Sequence, residues 1–486
     1  MVVARSSKVI LFKRLTLFVV GLGLVIVLSN CSQKAAVSTT TTAARTWYHP
    51  SGPSDNIAPD GQHIDSANGS KVKVAIAGNG DAIIAWIQYN GSANRLFVST
   101  YTAGTWTNPS SVADIFSVNG GTAPDAFHVA ADADGNGIVV WSQGDGANSQ
   151  VFKSQYSNGI WTHPTGLSDN ISPNSQDAFS PTVAMDDDGT AILLWTQSDG
   201  ANVQVFKSEY RSGAWSHPSS LADNISPNGQ SVDLPSVAMD NNGNAIIAWL
   251  QNDGTDLQVF KSEYRSGAWS HPANLSDNIS PDGSSPSDLH LGMDNSGNAV
   301  IVWSQSDGTN EALFKSEYRS GVWTHPSGAT DNFTLSGSDV VFFDLATSEG
   351  GDMVVAFIMN DGTDDSVYKS EFRNGAWAHP SALSDKISPS GHGVFEHARV
   401  SMDSEGNTII VWAQNDDTAL TRVLLKSEYR AGVWTHPISN AVSMFTGSIG
   451  YSIYPRVAFN DDGAGIITWL AYDDQAVVQV FKSEYR

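Results

Sequence analysis

Two aromatic positions recur eight times along the chain at an almost constant spacing, and this repeat constrains the fold more than any other feature. The first position holds Trp86, Trp141, Trp195, Trp249, Trp303, Phe357, Trp412 and Trp469. The second position holds Trp47, Trp106, Trp161, Trp215, Trp269, Trp323, Trp377 and Trp434. The spacing is 54 residues in the middle of the chain and 55 to 59 residues towards its ends. Such a period is typical of propeller blades, in which each unit buries its faces against its neighbours.

The repeated unit is predicted to contain four short strands. In the clearest copy these are Ser236–Met239, Ala245–Gln251, Leu257–Arg265 and Ala268–His271. Short runs of Asn, Asp, Ser and Gly separate them, and these residues supply the positive φ that hairpin turns require. Strands of this length joined by such turns form antiparallel meanders. The sequence therefore predicts an all-β fold, an eight-bladed β-propeller of four-stranded antiparallel blades.

The two ends of the repeat predict how the ring closes. Phe481–Arg486 completes the third strand of the eighth copy, and the fourth strand of that copy does not follow it. A matching fourth strand stands before the first copy, as Thr46–Pro50. Every other fourth-strand tryptophan has a Gly two residues earlier, whereas Trp47 has Arg45 there, because no hairpin turn precedes it. We predict that this N-terminal strand completes the last blade.

The N-terminal segment is predicted to be a targeting signal. Four basic residues accompany an apolar run, Leu15–Leu28, which is too short to span a membrane comfortably. The run ends in Leu28-Ser29-Asn30-Cys31, which resembles the lipobox of bacterial lipoproteins, although Asn30 departs from the usual Gly or Ala. The resemblance implies a lipoprotein signal peptide over residues 1–30 and acylation of Cys31. The alternative is an ordinary secretory signal with an incidental cysteine.

Domain organisation and location follow from these segments. Residues 31–44 are rich in Ser, Thr and Ala and are predicted to form a flexible polar tether, and residues 45–486 a single propeller domain. The single cysteine excludes a disulfide framework. We expect an extracytoplasmic monomer, lipid-anchored in the bacterial cell envelope at the outer membrane, on its periplasmic or its exposed side. Membrane contact is expected through the lipid anchor only.

The chain is strongly acidic. Its formal net charge is −24, and removal of the four positive charges of the leader changes this to −28. Nucleic acids and anionic lipid surfaces are bound through basic patches, so neither is an expected partner. The expected partner is a glycan or a protein of the envelope, and no cofactor is expected.

An Asp-rich turn follows the first strand in most copies, as in Asp186-Asp187-Asp188-Gly189. It is similar to the Asp-box turn of sialidase-type propellers and to Asp-rich calcium loops. A calcium loop requires about six oxygen ligands, including a bidentate acid further along the chain, and no such acid follows here. We predict an Asx-type turn and no metal site.

Two further residues repeat without indicating a catalytic site. A Ser recurs in the third strand of all eight copies, and a His precedes Pro at the end of the fourth strand in seven. Eight equivalent nucleophiles, or seven histidines on separate outer strands, cannot converge on one site. We predict that the Ser is a small residue that makes room for a Trp ring, that the Lys and Glu beside it pair between blades, and that the His residues pack and form hydrogen bonds.

Loops between the second and third strands combine Gln with Asp in copies two to five. They emerge on the same rim as the blade-to-blade connections, which gathers Gln, Asp, Asn and Ser on that rim. Such groups beside exposed aromatics suit a polyhydroxylated ligand, although the same residues also occur in solvated turns with no ligand. The candidate ligand-binding residues are Gln143, Asp145, Gln197, Asp199, Gln251, Asp253, Gln305 and Asp307.

The hairpin Phe260–Pro272 resembles the repeats of secreted bacterial propellers, of the sialidase-like Asp-box kind and of the propeller-lectin kind. The shared pattern is a charged and aromatic strand, a Gly turn and a Trp-containing strand. The resemblance is at motif level and implies a secreted bacterial repeat lipoprotein with a propeller fold.

Three kinds of function are considered: an enzyme, a binding module and a protein-interaction scaffold. A sialidase would carry an Arg-Ile-Pro segment, and an eight-bladed quinoprotein dehydrogenase would carry docking repeats and often paired cysteines; none of these is in the sequence. Catalysis also requires one unique cluster of groups, which near-perfect repetition disfavours. We therefore expect no enzyme and no catalytic residues, but a non-catalytic binding module, multivalent for a polar ligand such as a glycan. The alternative is a protein-interaction scaffold of the cell envelope.

Overall fold

The computed structural model describes residues 15–19, 24–28, 45–64, 72–416, 421–442, 444 and 452–486. Residues 1–44 and residues 45–486 form two separate units. In the first unit, Leu15–Val19 pairs with Leu24–Leu28 as an antiparallel hairpin. The predicted lipidation site Cys31 and the predicted tether lie outside the described residues. Among the residues that are described, no helix is long and apolar enough to cross a membrane.

The second unit is the predicted eight-bladed β-propeller, and its blades are eight four-stranded antiparallel sheets. We call the strands of a blade inner, second, third and outer. In this order they are Val72–Ile76, Ala82–Tyr89, Asn94–Thr102 and Thr105–Thr107 in blade one; Phe127–Ala131, Gly137–Gly144, Ser149–Ser157 and Ile160–Thr162 in blade two; Ala178–Met185, Ala191–Ser198, Val203–Arg211 and Ala214–Ser216 in blade three; Val232–Met239, Ala245–Asn252, Leu257–Arg265 and Ala268–Ser270 in blade four.

The remaining blades repeat this arrangement. Their strands are Asp288–Met293, Ala299–Ser306, Glu311–Arg319 and Val322–Thr324 in blade five; Val340–Thr347, Met353–Asn360, Asp365–Arg373 and Ala376–Ala378 in blade six; Val394–Met402, Thr408–Asn415, Arg422–Arg430 and Val433–Thr435 in blade seven; Ile453–Phe459, Gly465–Tyr472, Val478–Tyr485 and Trp47–Tyr48 in blade eight. Three short 3-10 helices lie in the connections, at Ala329–Asp331, Leu383–Asp385 and Asn440–Val442.

The second strand of each blade is buried on both faces, because neighbouring blades cover both sides of the sheet. Trp249 of blade four is fully buried and stacks on Phe260 with 6.2 Å between ring centroids. Trp303 of blade five packs in one cluster with Ile246 and Ala248 of blade four. The continuous apolar run of the second strand therefore fills two interfaces, which explains why it does not alternate with polar residues.

The turn between inner and second strands is the predicted Asx-type turn. Asp240 Oδ1 accepts hydrogen bonds from the backbone N–H groups of Asn242 and Asn244, both at 2.9 Å. Gly243 has φ 73°, a conformation that favours glycine. The turn is therefore satisfied by its own side chain.

The contacts between blades differ in one respect from the sequence-based expectation. Lys207 and Glu209 form an ion pair within one strand, because residues two apart lie on the same face of a strand. The link between blades is instead Trp269, whose Nε1 donates to Glu209 Oε1 at 2.8 Å and whose ring lies 4.8 Å from Lys207 Nζ. The predicted hydrogen bonding of the repeated His is confirmed, since His217 Nδ1 and Ser208 Oγ are 2.9 Å apart.

The predicted closure of the ring is confirmed. Trp47 pairs with Tyr485 and Tyr48 pairs with Glu484 in an antiparallel register. The backbone N–H of Thr46 donates to the carbonyl of Arg486 at 3.1 Å. The N-terminal strand is thus the outer strand of blade eight.

Candidate functional site

The eight inner strands surround the central channel and bring one side chain from each blade to the same level. Each of these residues pairs with the residue just before the second-strand aromatic position, so each lies 13 residues before that aromatic. We call this set the channel ring; it consists of Lys73, His128, Thr182, Ser236, His290, Asp344, Arg399 and Arg456.

Strand alternation explains why these residues face the channel. The neighbours of Asp344 on its own strand, Phe343 and Leu345, belong to the hydrophobic core between blades. Since successive side chains of a strand point to opposite sides, the residue between them points away from that core. Residues two positions further along the inner strands are mostly small, such as Ala130.

The channel ring is not symmetric. Blades seven, eight, one and two contribute Arg399, Arg456, Lys73 and His128, an arc that we call the cationic arc after its two arginines and its lysine. Blades three and four contribute the hydroxyl groups of Thr182 and Ser236, and blades five and six contribute His290 and Asp344. Two arginines and a lysine therefore face a single carboxylate, inside a chain whose net charge is −24.

His290 and Asp344 form the centre of the opposite side of the ring. His290 Nδ1 lies 3.3 Å from Asp344 Oδ1, and His290 Nε2 lies 3.8 Å from Asp288 Oδ2. Asp344 Oδ2 accepts the backbone N–H of Val400 at 3.1 Å, and Arg399 Nη1 lies 3.9 Å from it. Asp344 is therefore held from three sides. A histidine oriented by a fixed carboxylate is a suitable group for proton transfer.

The cationic arc is electrostatically crowded. Burial, followed by the charges of Arg456 and Arg399, lowers the pKa of Lys73 to about 7. Burial and the charge of Lys73 lower the pKa of His128 to about 3, so that imidazole is neutral at pH 7. Because like charges in a desolvated site repel each other, an anion entering the channel would be stabilised there.

Two polar atoms of the arc lack a hydrogen-bond partner. His128 Nδ1 is buried without one. Lys73 Nζ has neither a hydrogen bond nor an ion pair within the described part of the chain. Since buried polar groups are nearly always paired, the unpaired His128 Nδ1 marks the arc as a place where a ligand would complete the hydrogen bonding.

Aromatic side chains line the channel at the end where the inner strands begin. Phe342 contacts His397 edge to face at 4.1 Å between ring centroids, and the guanidinium of Arg399 lies 4.5 Å from the ring of Phe342. In blades three, four and eight the inner strand bulges at Ser180, Leu234 and Tyr454, which have φ between 50° and 54° and precede a Pro. On these inner strands, Phe342 and the three bulges therefore lie between the start of the strand and the channel ring.

Carboxylates close the other end of the channel. Asp187, Glu349 and Asp461 come from the turns of blades three, six and eight, and their oxygens lie within 4.8 Å of one another. Since these blades are spread around the ring, the three side chains meet near its axis. Asn241 donates hydrogen bonds to both Asp187 and Glu349. Burial and the charges of Asp461 and Glu349 raise the pKa of Asp187 to about 6.

These three carboxylates could ligate a cation. Calcium takes six to eight oxygen ligands, whereas the three residues offer one ligand atom each. This group of carboxylates differs from the calcium loop considered in the sequence analysis, because its members come from the turns of three separate blades.

The residues predicted as ligand-binding lie away from the channel ring. Gln251 is fully buried; its Nε2 donates to the carbonyls of Pro227 and Gln230 at 2.6 and 2.9 Å, and its Oε1 accepts from Trp249 Nε1 at 3.1 Å. The same arrangement recurs at Gln143, Gln197 and Gln305. These amides anchor the blade-to-blade connections and have no free donor or acceptor for a ligand.

The aspartates of the same loops are half-buried and close their turns. Asp253 Oδ1 accepts the backbone N–H groups of Thr255 and Asp256 at 2.8 and 3.1 Å. Equivalent bonds are made by Asp145, Asp199 and Asp307. The structure distributes these residues over four blades and brings no two of the loops into one site.

Comparison with known proteins gives relatives in fold only. No family model and no curated protein matches the chain. Among solved structures, an ulvan lyase of a polysaccharide lyase family is 11% identical with a TM-score of 0.46, and the match covers 82% of this chain and 100% of that one. A puromycin hydrolase is 11% identical with a TM-score of 0.44, covering 89% and 62%. An arabinofuranosidase from Fusarium graminearum is 11% identical with a TM-score of 0.34, covering 65% and 96%.

These comparisons correct the functional predictions. The neighbours just described are all named as enzymes, which contradicts the predictions of a non-catalytic binding module and of no enzyme. At these identities the similarity concerns the fold, and no residue is transferred from them. The functional predictions did not take the channel ring into account, where near-perfect repetition elsewhere coexists with one position that holds six residue types in eight blades.

Proposed function

We propose that the central channel is the active site of an enzyme that acts on an anionic substrate, with an acidic saccharide as the substrate class. The observation that carries the proposal is the cationic arc of the channel ring. Arg399, Arg456 and Lys73 lie on three successive blades inside an otherwise acidic protein, with Arg399 next to the single carboxylate of the ring, Asp344. An acidic chain that gathers buried cations at one place has the charge distribution needed to select an anion there.

The two arginines would bind the anionic group. A guanidinium presents several donors in a fixed plane, which matches the oxygens of a carboxylate or a sulfate. Arg399 is largely desolvated, and burial lowers its pKa from the ordinary value. A charge-assisted hydrogen bond in such a place is stronger than one on the surface.

The other side of the ring would handle the rest of the substrate. Thr182 and Ser236 offer hydroxyl groups that both donate and accept, as the hydroxyls of a sugar require. His290 would transfer a proton to or from the substrate, while Asp344 fixes the orientation of the imidazole at 3.3 Å. The reaction class is therefore acid–base chemistry next to an anionic group.

The proposal replaces the expectation of a neutral or cationic ligand, which rested on the total charge. Net charge sums over the whole surface, and most of the acids lie outside the channel. The field that a ligand experiences is that of the surrounding side chains, because the narrow channel separates it from surface charges and their counter-ions.

Calorimetric titration with glucuronate and with glucose tests the binding step. We expect the native protein to bind glucuronate at one site per chain and to bind glucose at least about tenfold more weakly, since one charge-assisted bond contributes about 1.5 kcal/mol or more. Arg399→Gln and Arg456→Gln should each weaken glucuronate binding. Arg95→Gln, outside the channel, is the matched control and should leave it unchanged.

Degradation of uronate-containing and sulfated polysaccharides, followed by product chromatography, tests the catalytic step. His290→Gln should abolish turnover while glucuronate still binds. Equal binding of glucose and glucuronate, or several identical sites per chain, would contradict the proposal. Turnover that survives both His290→Gln and Asp344→Asn would place the chemistry elsewhere.

We also propose that the protein is held at the bacterial cell envelope by acylation of Cys31. Support comes from the lipobox-like Leu28-Ser29-Asn30-Cys31 after a basic and apolar leader. Stable anchoring requires more than one acyl chain, as bacterial lipoproteins carry. In a bacterial host, Cys31→Ala should move the protein from the membrane fraction to the soluble fraction, and Cys31→Ala with unchanged partition would contradict the anchor. Ser29→Ala serves as the control.

A further inference from the structure

We propose that Lys73 forms an imine with a carbonyl carbon of an anionic ligand bound in the channel ring. The ligand class is a small aldehyde or ketone that carries a carboxylate, which includes the open-chain form of an acidic sugar. The inference rests on the proposed function in one respect, because the anionic group would be held by the same two arginines.

The placement of Lys73 carries the inference. It occupies blade one, between Arg456 of blade eight and His128 of blade two in the order of the ring. Beyond these two neighbours, the charges that reach it are those of Arg399, in the same arc, and of the single carboxylate Asp344, which is already engaged by His290 and Val400. Within the described residues, the amine of Lys73 therefore has cationic neighbours in the ring and no ion pair with a carboxylate.

No other lysine in the described part of the chain has this environment. Each of the others contacts a carboxylate, a tryptophan ring or both; these are Lys153, Lys207, Lys261, Lys315, Lys369, Lys386, Lys426 and Lys482. Lys153 is the closest comparison, because burial also lowers its pKa and it has no acid partner, but its Nζ lies 4.5 Å from the ring of Trp215. Lys153 is thus a matched control for a desolvated amine outside the channel.

The protonation state of the amine supports the same conclusion. Only a neutral amine attacks a carbonyl, and the pKa of Lys73 is lowered to about 7. At pH 7 this pKa leaves about half of the Lys73 amines neutral, whereas roughly one in 2,500 amines of an ordinary lysine is neutral. Desolvation beside other cations is a recognised way to activate a lysine for imine formation.

The step balances without a further reagent. The lone pair of the neutral Nζ forms a bond to the carbonyl carbon, and the carbonyl C–O bonds break. Both amine hydrogens leave with that oxygen as water, which gives a C=N bond. His290 is an imidazole of the ring that is suited to move the proton between nitrogen and oxygen, whereas His128, with its pKa lowered to about 3, is too weakly basic for this role.

Reductive trapping with glyoxylate and cyanoborohydride at pH 7 tests the inference on the intact propeller, with sites located by peptide mass spectrometry. We expect carboxymethylation of Lys73 at least about tenfold faster than of Lys153. Lys73→Arg, which keeps the charge, should remove that modification and leave the rest unchanged. Glycolate, which has the same anionic group and no carbonyl, should slow the trapping by competition without forming an adduct.

The outcomes separate the two proposals. Uniform labelling of lysines, or no adduct at Lys73 although glyoxylate and glycolate bind, overturns the imine and leaves the anion site standing. Selective labelling of Lys73 that neither glycolate nor Arg456→Gln affects supports the imine and overturns the anion site. Because Lys73→Arg could perturb folding, Lys73→Gln and the circular dichroism spectrum of both variants accompany the measurement.

Discussion

Trp47 Nε1 donates a hydrogen bond to Glu428 Oε1 at 2.9 Å, which ties the N-terminal strand of blade eight to blade seven. The same bond joins an outer-strand tryptophan to the third strand of the preceding blade around most of the ring. The pairs are Trp106–Glu484, Trp215–Gln155, Trp269–Glu209, Trp323–Glu263, Trp377–Glu317 and Trp434–Glu371. At the junction of blades one and two, Thr100 stands where the other blades carry Glu or Gln.

Loss of this bond should weaken ring closure measurably. We expect Trp47→Phe to lower the free energy of unfolding by about 1–3 kcal/mol more than the loss of buried ring area alone accounts for. The reason is that the acceptor of the lost hydrogen bond is a carboxylate. Trp161→Phe is the matched control, since no hydrogen bond from Trp161 Nε1 is found among the described residues. Urea denaturation of the domain measures both. Equal losses in the two variants would contradict a role for the bond.

Removal of residues 45–50 should have a larger effect than any single substitution. Blade eight would retain three strands, and the third strand Val478–Tyr485 would present an unpaired edge. Exposed edges pair with other chains and promote aggregation. We expect a lower melting temperature and concentration-dependent aggregation in light scattering. A truncated domain that melts like the intact one would refute closure by this strand.

The fold could be predicted because its physical requirements repeat. Every blade needs a large aromatic residue such as Trp249 between two neighbours and a turn such as Asp240–Gly243, so the same residue types recur at a fixed period. Closure could be predicted for the same reason, since Trp47 matches seven other tryptophans. What the repeat did not reveal was the partner of each polar side chain: Gln251 looked available on a loop, but the fold buries it against the blade-to-blade connection.

A substitution at the junction of blades one and two should increase the stability of the propeller. Thr100 lies at the position where Gln155 accepts from Trp215 Nε1 at 3.1 Å in the next pair of blades. Thr100→Gln should supply the missing acceptor for Trp161 and raise the free energy of unfolding by about 0.5–1.5 kcal/mol. Thr102→Gln, two residues further on the same strand, is the control. A gain in both variants would point to a general effect of glutamine instead.

The channel ring escaped sequence analysis because it is the position that does not repeat. Comparison of the residues that stand 13 positions before each second-strand aromatic would have aligned Lys73, His290 and Asp344 from sequence alone. Their convergence could not be inferred from pairwise spacing, because the charges come from strands more than 50 residues apart and meet only when the ring closes. The formal net charge was misleading for the same reason. The value of −24 is a sum over the whole sequence, and the cationic arc contributes little to it.

Lys73 should make stability depend on pH. Its pKa in the folded state, about 7, lies below the value of an unfolded lysine, so between pH 7 and about 10 the unfolded chain binds more protons. Stability therefore rises with pH in this window, by up to about 1.4 kcal/mol per pH unit for one proton. Lys73→Met should flatten this rise and stabilise the protein at pH 7. Denaturation at several pH values between 7 and 10 measures the slope, and an unchanged slope in the variant would show that Lys73 is not the group responsible.

Asp187 should have the opposite dependence on pH. Its pKa of about 6 lies above the ordinary value of 3.8, because burial and the carboxylates of Glu349 and Asp461 disfavour its charge. The folded state therefore binds more protons between pH 4 and 6, and stability falls as the pH rises through that window. At pH 7.5 the full penalty is present, and Asp187→Asn should remove it while its amide oxygen still accepts from Asn241.

We expect Asp187→Asn to raise the free energy of unfolding at pH 7.5 by about 1–2 kcal/mol, a range reduced for partial exposure of the carboxylate. The gain should shrink below pH 5, where native Asp187 is protonated, and should also shrink in high salt, which screens the repulsion. Asp188→Asn, at the exposed neighbouring position, is the control and should change stability little at any pH. A loss of stability in Asp187→Asn at pH 7.5, with Asp188→Asn unchanged, would mean that the three carboxylates hold a cation in solution and that its binding outweighs their repulsion.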